Sequence, residues 1–292
     1  MPQMLGNQKI KIAVLGLGRI SQFHFDAIQK NQTHLELVAV CDMLPQMVDQ
    51  VSQSYQVQGF TDLETMLKTV SIDLLAICTP SGLHPSQTIV AAKYHCHVIT
   101  EKPMATIWQD GLEMVKACQD ADVYLFVVKQ NRWNKTMQYL KSAVDQGRFG
   151  KIYLACANVF WSRQQSYYNQ GDWRGTWAMD GGAFMNQASH YVDLLHWLLG
   201  PVQSVGAMMG TLARQIEAED TGVMNLRWRH GAIGSVNVTT LTYPEDKEGS
   251  LTILGEKGSV RFAGKALNRL EWWEFHEPHE MDINIKELSY ET

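Results

Sequence analysis

Residues 9–21 read Lys-Ile-Lys-Ile-Ala-Val-Leu-Gly-Leu-Gly-Arg-Ile-Ser, an apolar run that meets two glycines. The apolar half is typical of a buried strand, and the stretch from Ser21 onwards has the pattern of a helix. Gly16 permits a tight turn between the two, and Gly18 leaves no Cβ in the path of a pyrophosphate. The N–H groups and positive dipole end of the helix favour the same anion. The stretch therefore predicts a strand–turn–helix unit that holds the diphosphate of a dinucleotide.

Strands and helices alternate through the first half of the chain. The predicted strands are Lys9–Leu15, Leu35–Asp42, Ile72–Cys78, His97–Thr100 and Tyr124–Val128, and the predicted helices are Ser21–Asn31, Pro45–Ser54, Asp62–Val70, Pro85–Tyr94 and Thr106–Ala121. Such alternation implies βαβ units and a parallel sheet, and strands without clean polar alternation indicate burial on both faces. We therefore predict an α/β domain over residues 1–130, a Rossmann doubly wound parallel sheet.

The pattern changes after a predicted helix at Lys135–Gln146. One further helix, Gly182–Leu199, ends at Gly200-Pro201. The remaining elements are strands in succession: Lys151–Phe160, Val202–Leu212, Gly222–Arg229, Ile233–Thr240, Ser250–Leu254, Ser259–Phe262 and Leu270–Phe275. Residues 131–292 are therefore predicted to form an α+β domain with a large, mainly antiparallel sheet, which would bind substrate and support oligomerisation.

Asp42 ends the second predicted strand, roughly twenty residues beyond the glycines. An acid at this point accepts hydrogen bonds from ribose hydroxyls and repels a 2′-phosphate, so NAD is favoured over NADP. Arg19 and Ile20, in the glycine turn, are expected beside the same cofactor. Two simpler interpretations stay open. Asp42 could cap the turn before Pro45, and a Gly-x-Gly-x-x-Ser turn also occurs in α/β proteins that bind no nucleotide.

Three further motifs complete a recognisable set: Glu101-Lys102-Pro103, Thr79-Pro80 with His84, and Gly181-Gly182-x-x-x-Asn186-x-x-x-His190-x-x-Asp193. Together with the glycine turn they resemble the glucose–fructose oxidoreductase/inositol dehydrogenase family, from about Lys9 to Phe275. The resemblance implies a nicotinamide-dependent dehydrogenase. It also implies that Thr79, Pro80, His84, Glu101 and Lys102 belong to the cofactor site.

Within that family the chain looks closest to UDP-N-acetylglucosaminuronate 3-dehydrogenases of bacterial surface-polysaccharide (lipopolysaccharide O-antigen) synthesis. The segments that carry this closer match are 129–133, 160–163, 173–177, 182–190 and 242–244. The resemblance implies NAD-dependent oxidation of the C3 hydroxyl of the UDP-sugar acid to a 3-keto sugar, by a homotetramer. Members of the group continue with a further C-terminal segment that ends in a helix on the nucleotide-binding domain, so a truncated second domain is expected here. The wider family usually has Asp where this chain has Asn186.

Lys102 and His190 are the expected catalytic pair. Lys102 follows a strand at the edge where parallel sheets bind ligands, and partial burial there would lower the pKa of its amine. His190 shares a helical stripe with Asn186, Asp193 and Trp197, so the Asp193 carboxylate could fix its tautomer. The alternatives are a surface lysine paired with Glu101 and a structural histidine, and the residues do not say which of the pair takes the proton first.

Substrate contacts are expected from the second domain. Arginine forks suit carboxylate and pyrophosphate oxygens, and aromatic faces suit a uracil or pyranose ring. The candidates are Arg163, Trp173, Arg174, Asn186 and Ser189, with Lys102 and His190. Asn131 and Arg132 follow the last parallel strand, where Asn131 is expected at the nicotinamide ribose or the substrate. Arg163, Trp173 and Arg174 fall in a long loop before the predicted helix Gly182–Leu199. The competing interpretation is that this loop is buried in a subunit interface.

Composition excludes several classes of function. The net charge is −5 without a block of Lys and Arg, so nucleic acid is not an expected partner. Five widely spaced cysteines without C-x-x-C fit a reducing cytosol, and no apolar run approaches the ~20 residues that span a bilayer. The N-terminus lacks a signal-peptide pattern, so a cytoplasmic location without membrane attachment is expected. His95-Cys96-His97 predicts no metal site, since consecutive side chains of a strand point to opposite faces.

Three other functions stay open at this level. The chain could be a dehydrogenase of a free sugar or cyclitol, with NAD or NADP. It could be a catalytically silent regulator that binds NAD(H), although Lys102 and His190 are both present. It could also be a structural assembly partner, an alternative that is supported only by the predicted open sheet of the second domain.

Overall fold

A computed structural model describes residues 8–264 and 266–288. The chain divides into two compact units between Val128 and Lys129. Each unit has its own sheet, and each is described by itself below.

The first unit contains a six-stranded sheet in the order β3-β2-β1-β4-β5-β6, in which all neighbouring strands run parallel. Its strands are β1 (Ile10–Leu15), β2 (Leu35–Cys41), β3 (Gln58–Phe60), β4 (Leu74–Ile77), β5 (His97–Thr100) and β6 (Leu125–Val127). Its helices are α1 (Ser21–Lys30), α2 (Pro45–Tyr55), α3 (Leu63–Thr69), α4 (His84–Lys93) and α5 (Trp108–Asp120). The predicted α/β class with a doubly wound parallel sheet is confirmed.

Strand β1 shows why the strands of this sheet are continuous apolar runs in the sequence. Ala13 and Leu15 pack into one core, and Ile12 and Val14 pack into another on the opposite face. Since successive side chains of a strand alternate between faces, a strand covered on both faces needs apolar residues at every position. The short strand β3 was not predicted, because three residues that include Gly59 carry no strand pattern.

The parallel direction of the strands gathers the cofactor motifs. The carboxyl ends of β1, β2, β4 and β5 meet at one edge of the sheet, which is where open α/β sheets bind ligands. The glycine turn, Asp42, Thr79-Pro80 and Glu101-Lys102 each follow one of these strands directly. These motifs are spread from residue 16 to residue 102 in the sequence, and they therefore lie along one edge of the sheet in the folded unit.

The second unit contains a seven-stranded sheet in the order β13-β12-β11-β7-β10-β9-β8. Neighbouring strands run antiparallel except β7 and β10, which run parallel. The strands are β7 (Ile152–Phe160), β8 (Val202–Gly210), β9 (Thr221–Trp228), β10 (Ile233–Thr239), β11 (Glu248–Gly255), β12 (Gly258–Ala263) and β13 (Arg269–Phe275). The helices are α6 (Lys135–Asp145), α7 (Gln165–Tyr168), α8 (Gly182–Met185), α9 (Ser189–Leu199) and α10 (Met281–Leu288). The predicted α+β second domain is confirmed.

Helix α9 covers one face of this sheet and carries the residues next to the predicted catalytic histidine. Tyr191, Leu194 and Leu195 are at most 1% exposed and pack in one core with Leu140 of α6 and Trp228 of β9. A helix whose apolar stripe is buried in this way is fixed in rotation, so the polar side chains of its first turn have a defined direction.

The predicted helix Gly182–Leu199 is wrong as a single element. It is divided into α8 and α9, with Asn186, Gln187 and Ala188 between them. The Asn186 side chain donates to Asp180 instead of projecting from a helical stripe. The apolar periodicity continues across the break, which is why the sequence read as one helix.

Helices α7 and α10 were not predicted. In the part of the chain that the structure describes, no helix has the length and apolar character needed to cross a bilayer.

All five cysteine thiols are unpaired, and burial raises the pKa of Cys41 and of Cys96 to about 12. Thiols with such values stay protonated and unreactive at neutral pH.

Candidate functional site

The two glycines of the turn are required for different reasons. Gly16 has φ +87°, and a Cβ there would lie 2.8 Å from the backbone carbon of Cys78 and the backbone nitrogen of Thr79. A Cβ on Gly18 would meet no protein atom within 4 Å. Gly16 is therefore demanded by the packing of the turn on the end of β4, whereas the space above Gly18 is open to a ligand.

The third position of the motif holds the turn through its side chain. The Ser21 hydroxyl donates to the Gly18 carbonyl at 2.7 Å, and the Ser21 N–H lies 3.1 Å from the same oxygen. A Gly or Ala at this position could not make the first bond. Arg19 and Ile20 lie exposed in the turn, at the start of α1.

Asp42 connects the end of β2 to the glycine turn. One carboxylate oxygen accepts the N–H of Leu17 at 2.7 Å, and the other accepts the N–H of Leu44 at 2.9 Å. The second bond is the turn-capping role considered for Asp42. Each oxygen of an ionised carboxylate has a further lone pair, so the half-buried group can still accept from ribose hydroxyls.

His84 joins the loops that follow β4 and β5. The ring is 1% exposed, Nε2 lies 2.9 Å from the Thr79 carbonyl oxygen, and Nδ1 lies 2.9 Å from the Pro103 carbonyl oxygen. Burial lowers the pKa of this imidazole. The ring thus contacts the backbone of two loops that carry predicted cofactor-site residues, and contact of His84 with the cofactor stays a prediction.

The Lys102 loop rests on a buried acid. The Glu101 carboxylate is mostly buried and lies 2.8 Å from His24 Nε2 of α1, while its other oxygen accepts the Lys102 N–H at 3.3 Å. The peptide bond between Lys102 and Pro103 is cis. Lys102 itself is half-buried, the environment that the sequence analysis expected for it.

In the second unit, His190 lies in the first turn of α9 and is 9% exposed. Its Nε2 is 3.4 Å from the amide nitrogen of Gln130. Asp193, predicted to orient His190, is bound by Arg132 through two bonds of 2.8 and 2.6 Å. Neither contact was predicted, because 60 residues separate Gln130 from His190 and no local pattern joins them.

Lys129 is a second lysine with an altered environment. Its ammonium nitrogen lies 3.5 Å from the Ser189 carbonyl oxygen, and burial lowers its pKa. Asn131 occupies the 3-10 turn Gln130–Trp133 that follows. Neither Lys129 nor Gln130 was predicted as a site residue, because the pattern of the segment resembles the family without marking either side chain.

The structure places both predicted arginines against aromatic rings. Arg174 lies between two rings, 4.5 Å from the centroid of Tyr167 and 4.4 Å from that of Trp173. Arg163 lies over Trp161 at 5.2 Å and forms a 3.1 Å ion pair with Asp246. Such stacking holds the guanidinium planes in place while their edges can still donate.

Asn186 and Ser189 are both positioned by hydrogen bonds to nearby residues. Asp180, 2% exposed, accepts the side chain of Asn186 and, at 2.8 Å, the N–H of Gly175. The Ser189 hydroxyl lies 3.3 Å from the Asn186 carbonyl. Asp180 thus joins the arginine loop to the Asn186 segment, a role that sequence reasoning missed.

Glu219 is a second buried acid beside this segment. One oxygen accepts the Phe184 N–H at 2.8 Å, and a Cβ on Gly182 would lie 1.9 Å from the other oxygen. Burial raises the pKa of Glu219. Burial acts in the same direction on Asp220, but the N–H groups of Leu212, Arg214 and Ala213 outweigh it and lower the pKa of that carboxyl. The pKa values of the adjacent acids therefore shift in opposite directions, upward for Glu219 and downward for Asp220.

Within residues 8–264 and 266–288, no group of three or more His, Cys, Asp or Glu side chains is arranged to hold a metal ion. In the His95-Cys96-His97 stretch, Cys96 is buried, His95 is exposed, and His97 Nδ1 accepts the N–H of Tyr124.

A Rossmann unit with this glycine turn and Asp42, followed by a unit with an open mixed sheet, defines a two-domain NAD-binding oxidoreductase. Residues 10–129 match the family model "Oxidoreductase family, NAD-binding Rossmann fold", and residues 137–261 match the "GFO/IDH/MocA C-terminal domain". The chain belongs to the GFO/IDH/MocA oxidoreductase family.

Among solved structures, the chain is similar to the WlbA dehydrogenase of Bordetella pertussis, crystallised with NADH and UDP-GlcNAcA. Identity is 56% and the TM-score is 0.97, over 99% of this chain and 83% of that one. The WlbA dehydrogenase of Chromobacterium violaceum is 54% identical, with a TM-score of 0.96 over 99% of this chain and 84% of that one. The myo-inositol 2-dehydrogenase of Thermotoga maritima is 26% identical over 86% of this chain and 74% of its own length.

The two glycines provide a matched pair of variants. Gly16→Ala forces a Cβ against backbone atoms at positive φ, so we expect it to destabilise the ligand-free protein by roughly 1–3 kcal/mol. Gly18→Ala should leave ligand-free stability within about 0.5 kcal/mol and weaken NAD binding by ~10-fold or more. Thermal unfolding and NAD titration measure the two effects. Unchanged NAD affinity in Gly18→Ala would contradict this assignment of the pyrophosphate position.

Glu219 predicts a pH-dependent difference in stability. Because its folded-state pKa is raised, the stability it contributes at low pH is lost as pH rises toward and through that pKa. Glu219→Gln carries no charge at any pH, so its Tm relative to wild type should rise as the pH increases above about 4.5, the ordinary pKa of a glutamate, by ~2–4 °C for each kcal/mol. Glu245→Gln, at an exposed position, is the control. A difference that does not grow with pH would show that Glu219 ionises freely in the folded protein.

Proposed function

We propose that this protein oxidises the C3 hydroxyl of UDP-N-acetylglucosaminuronate to the 3-keto sugar with NAD. The observation that carries the proposal is the 56% identity, over 99% of the chain, with a dehydrogenase crystallised with NADH and UDP-GlcNAcA. Two features of the site support it. The open space over Gly18 and the free lone pairs of Asp42 suit NAD, and the stacked arginines suit an anionic nucleotide sugar.

NAD supplies the hydride acceptor at nicotinamide C4. The protein has to remove the hydroxyl proton and hold the C3 hydrogen in line. We assign proton removal to Lys102 and His190 together. Lys102 is half-buried at the ligand-binding edge of the parallel sheet, and His190 is 9% exposed at the start of a rigid helix. The residues assigned to the cofactor are Gly16, Gly18, Arg19, Ile20, Asp42, Thr79, Pro80, Glu101 and Asn131. His84 is proposed to act on the cofactor site through the backbone of the two loops that it contacts.

Arg163 and Arg174 are proposed to bind the acidic parts of the substrate. Their stacking on Trp161, Tyr167 and Trp173 holds the guanidinium groups in fixed planes, as bidentate recognition of carboxylate or phosphate requires. Asn186 and Ser189 are proposed to contact the sugar, with Asp180 fixing the amide of Asn186. The carboxylate of the sugar acid is the group that would distinguish this substrate from UDP-sugars whose sugar is uncharged.

The proposal extends to assembly and setting. Met208 and Met209 of strand β8 are 82% and 58% exposed, and Val205 is 61% exposed. Apolar side chains exposed on an edge strand favour association, so we propose a homotetramer. We further propose that the enzyme works in the cytoplasm, in the synthesis of lipopolysaccharide sugars.

A direct assay tests the proposed substrate. Purified protein with NAD and UDP-N-acetylglucosaminuronate should form NADH and a 3-keto sugar, followed by absorbance and mass spectrometry. A parallel reaction with a 2-keto acid detects cofactor that stays bound and is recycled in place. UDP-N-acetylglucosamine, which lacks the carboxylate, and myo-inositol are the comparison substrates. Turnover of myo-inositol alone would favour the cyclitol alternative, and NAD binding without turnover of any substrate would favour the silent regulator.

Lys102→Ala should lower kcat by at least ~10²-fold, the usual scale for loss of an acid–base group. NAD affinity should change much less, because the diphosphate and ribose are held by other residues. Lys116→Ala, an exposed lysine of α5 paired with Asp120, is the control and should keep normal turnover. A rate for Lys102→Ala close to wild type would remove this lysine from the proton transfer.

A further inference from the structure

Residues 129–132 contact the first turns of helix α9 at three successive points. Lys129 reaches the Ser189 carbonyl at 3.5 Å, and the Gln130 amide nitrogen reaches His190 Nε2 at 3.4 Å. Arg132 then binds both oxygens of Asp193. The two sides are separated by about 60 positions in sequence, so the contact is set by the fold of the second unit. Of these three contacts, the one from Gln130 is made to His190 itself.

The chemistry of the Gln130 contact is directional. An amide nitrogen donates hydrogen bonds and has no lone pair with which to accept one. Facing this nitrogen, His190 Nε2 makes a hydrogen bond when it presents its lone pair, and the ring proton of the neutral imidazole is then on Nδ1. A protonated Nε2 would direct its N–H at the amide N–H, which is repulsive.

The charges around the contact favour the same state. Arg132 and Asp193 neutralise each other in their bidentate ion pair, so Lys129 is the remaining charge on the segment that faces α9. A cationic imidazole would add a second positive charge there. The neutral form of His190, with a basic Nε2, is consistent with these groups.

We propose that Gln130 is a positioning residue that holds His190 neutral, with the lone pair on Nε2, so that the histidine is ready to accept a proton. The contact is 3.4 Å long, above the ordinary 2.7–3.2 Å range, so the amide biases the tautomer of the ring without locking it, and a substrate hydroxyl can take its place. The inference rests on the proposed function in giving His190 a proton to accept, whereas the protonation state itself can be measured without turnover.

The test compares Gln130→Glu with wild type. The carboxylate is nearly isosteric with the amide and favours the imidazolium, so the apparent pKa of His190 should rise by about one unit or more. Nitrogen-15 NMR of histidine-labelled protein follows the titration, with His190→Asn used to assign the signal. In wild type the same spectra should show Nε2 unprotonated and Nδ1 protonated at neutral pH. Gln146→Glu, at an exposed amide that donates to Ser142, is the control and should leave the signal unchanged.

Activity gives an independent readout. The acidic limb of the kcat/KM profile should move to higher pH in Gln130→Glu, by the same amount as the titration of His190. Gln130→Leu, which neither donates nor accepts, should lower kcat more than it raises KM. An Nε2–H tautomer in wild type, or an unchanged His190 titration in a folded Gln130→Glu protein, would overturn the proposal. If the NMR spectra show the expected tautomer and the expected pKa change of His190 but no substrate is turned over, the result would count against the proposed function instead.

Discussion

The missing Cβ at Gly16 is the constraint on which the cofactor half of the protein depends. It allows the β1–α1 turn to lie against the backbone of Cys78 and Thr79, at a distance that no other residue permits. That approach places the start of α1 at the same sheet edge as Asp42, whose carboxylate then binds the Leu17 N–H. The anion site and the ribose acceptor are thus set by one steric condition.

The second unit depends on buried acids in the same way. Asp180, Glu219 and Asp220 are each at most 3% exposed, and each accepts backbone N–H groups that the irregular loops leave without helical or strand partners. A buried carboxylate is costly unless it is hydrogen-bonded or protonated, so these loops are held in a narrow set of conformations. The arginine stack and the Asn186 segment both take their position from Asp180.

Elements with strong periodicity were predictable, and those set by single side chains were not. Strand His97–Thr100 was predicted residue for residue, because its three β-branched residues, Val98, Ile99 and Thr100, end at a clear boundary. The break between α8 and α9 was missed, because it depends on Asp180 and Glu219, which carry no helical pattern. The partner of Asp193 was missed for a related reason. A carboxylate one turn from a histidine suggests a local pair, whereas Arg132 reaches it from 61 positions away.

The sequence alone determined the alternation of strands and helices, the glycine turn and the acid at the end of β2, since these are recorded in local spacing and residue type. It also placed Lys102 at the ligand-binding edge, because parallel strands bring their carboxyl ends together. Only the tertiary structure decided that Gly18 is open where Gly16 is crowded, that His84 joins two loops, and that Gln130 faces His190. Those facts concern residues far apart in the chain, and their distances exist only once both cores have formed.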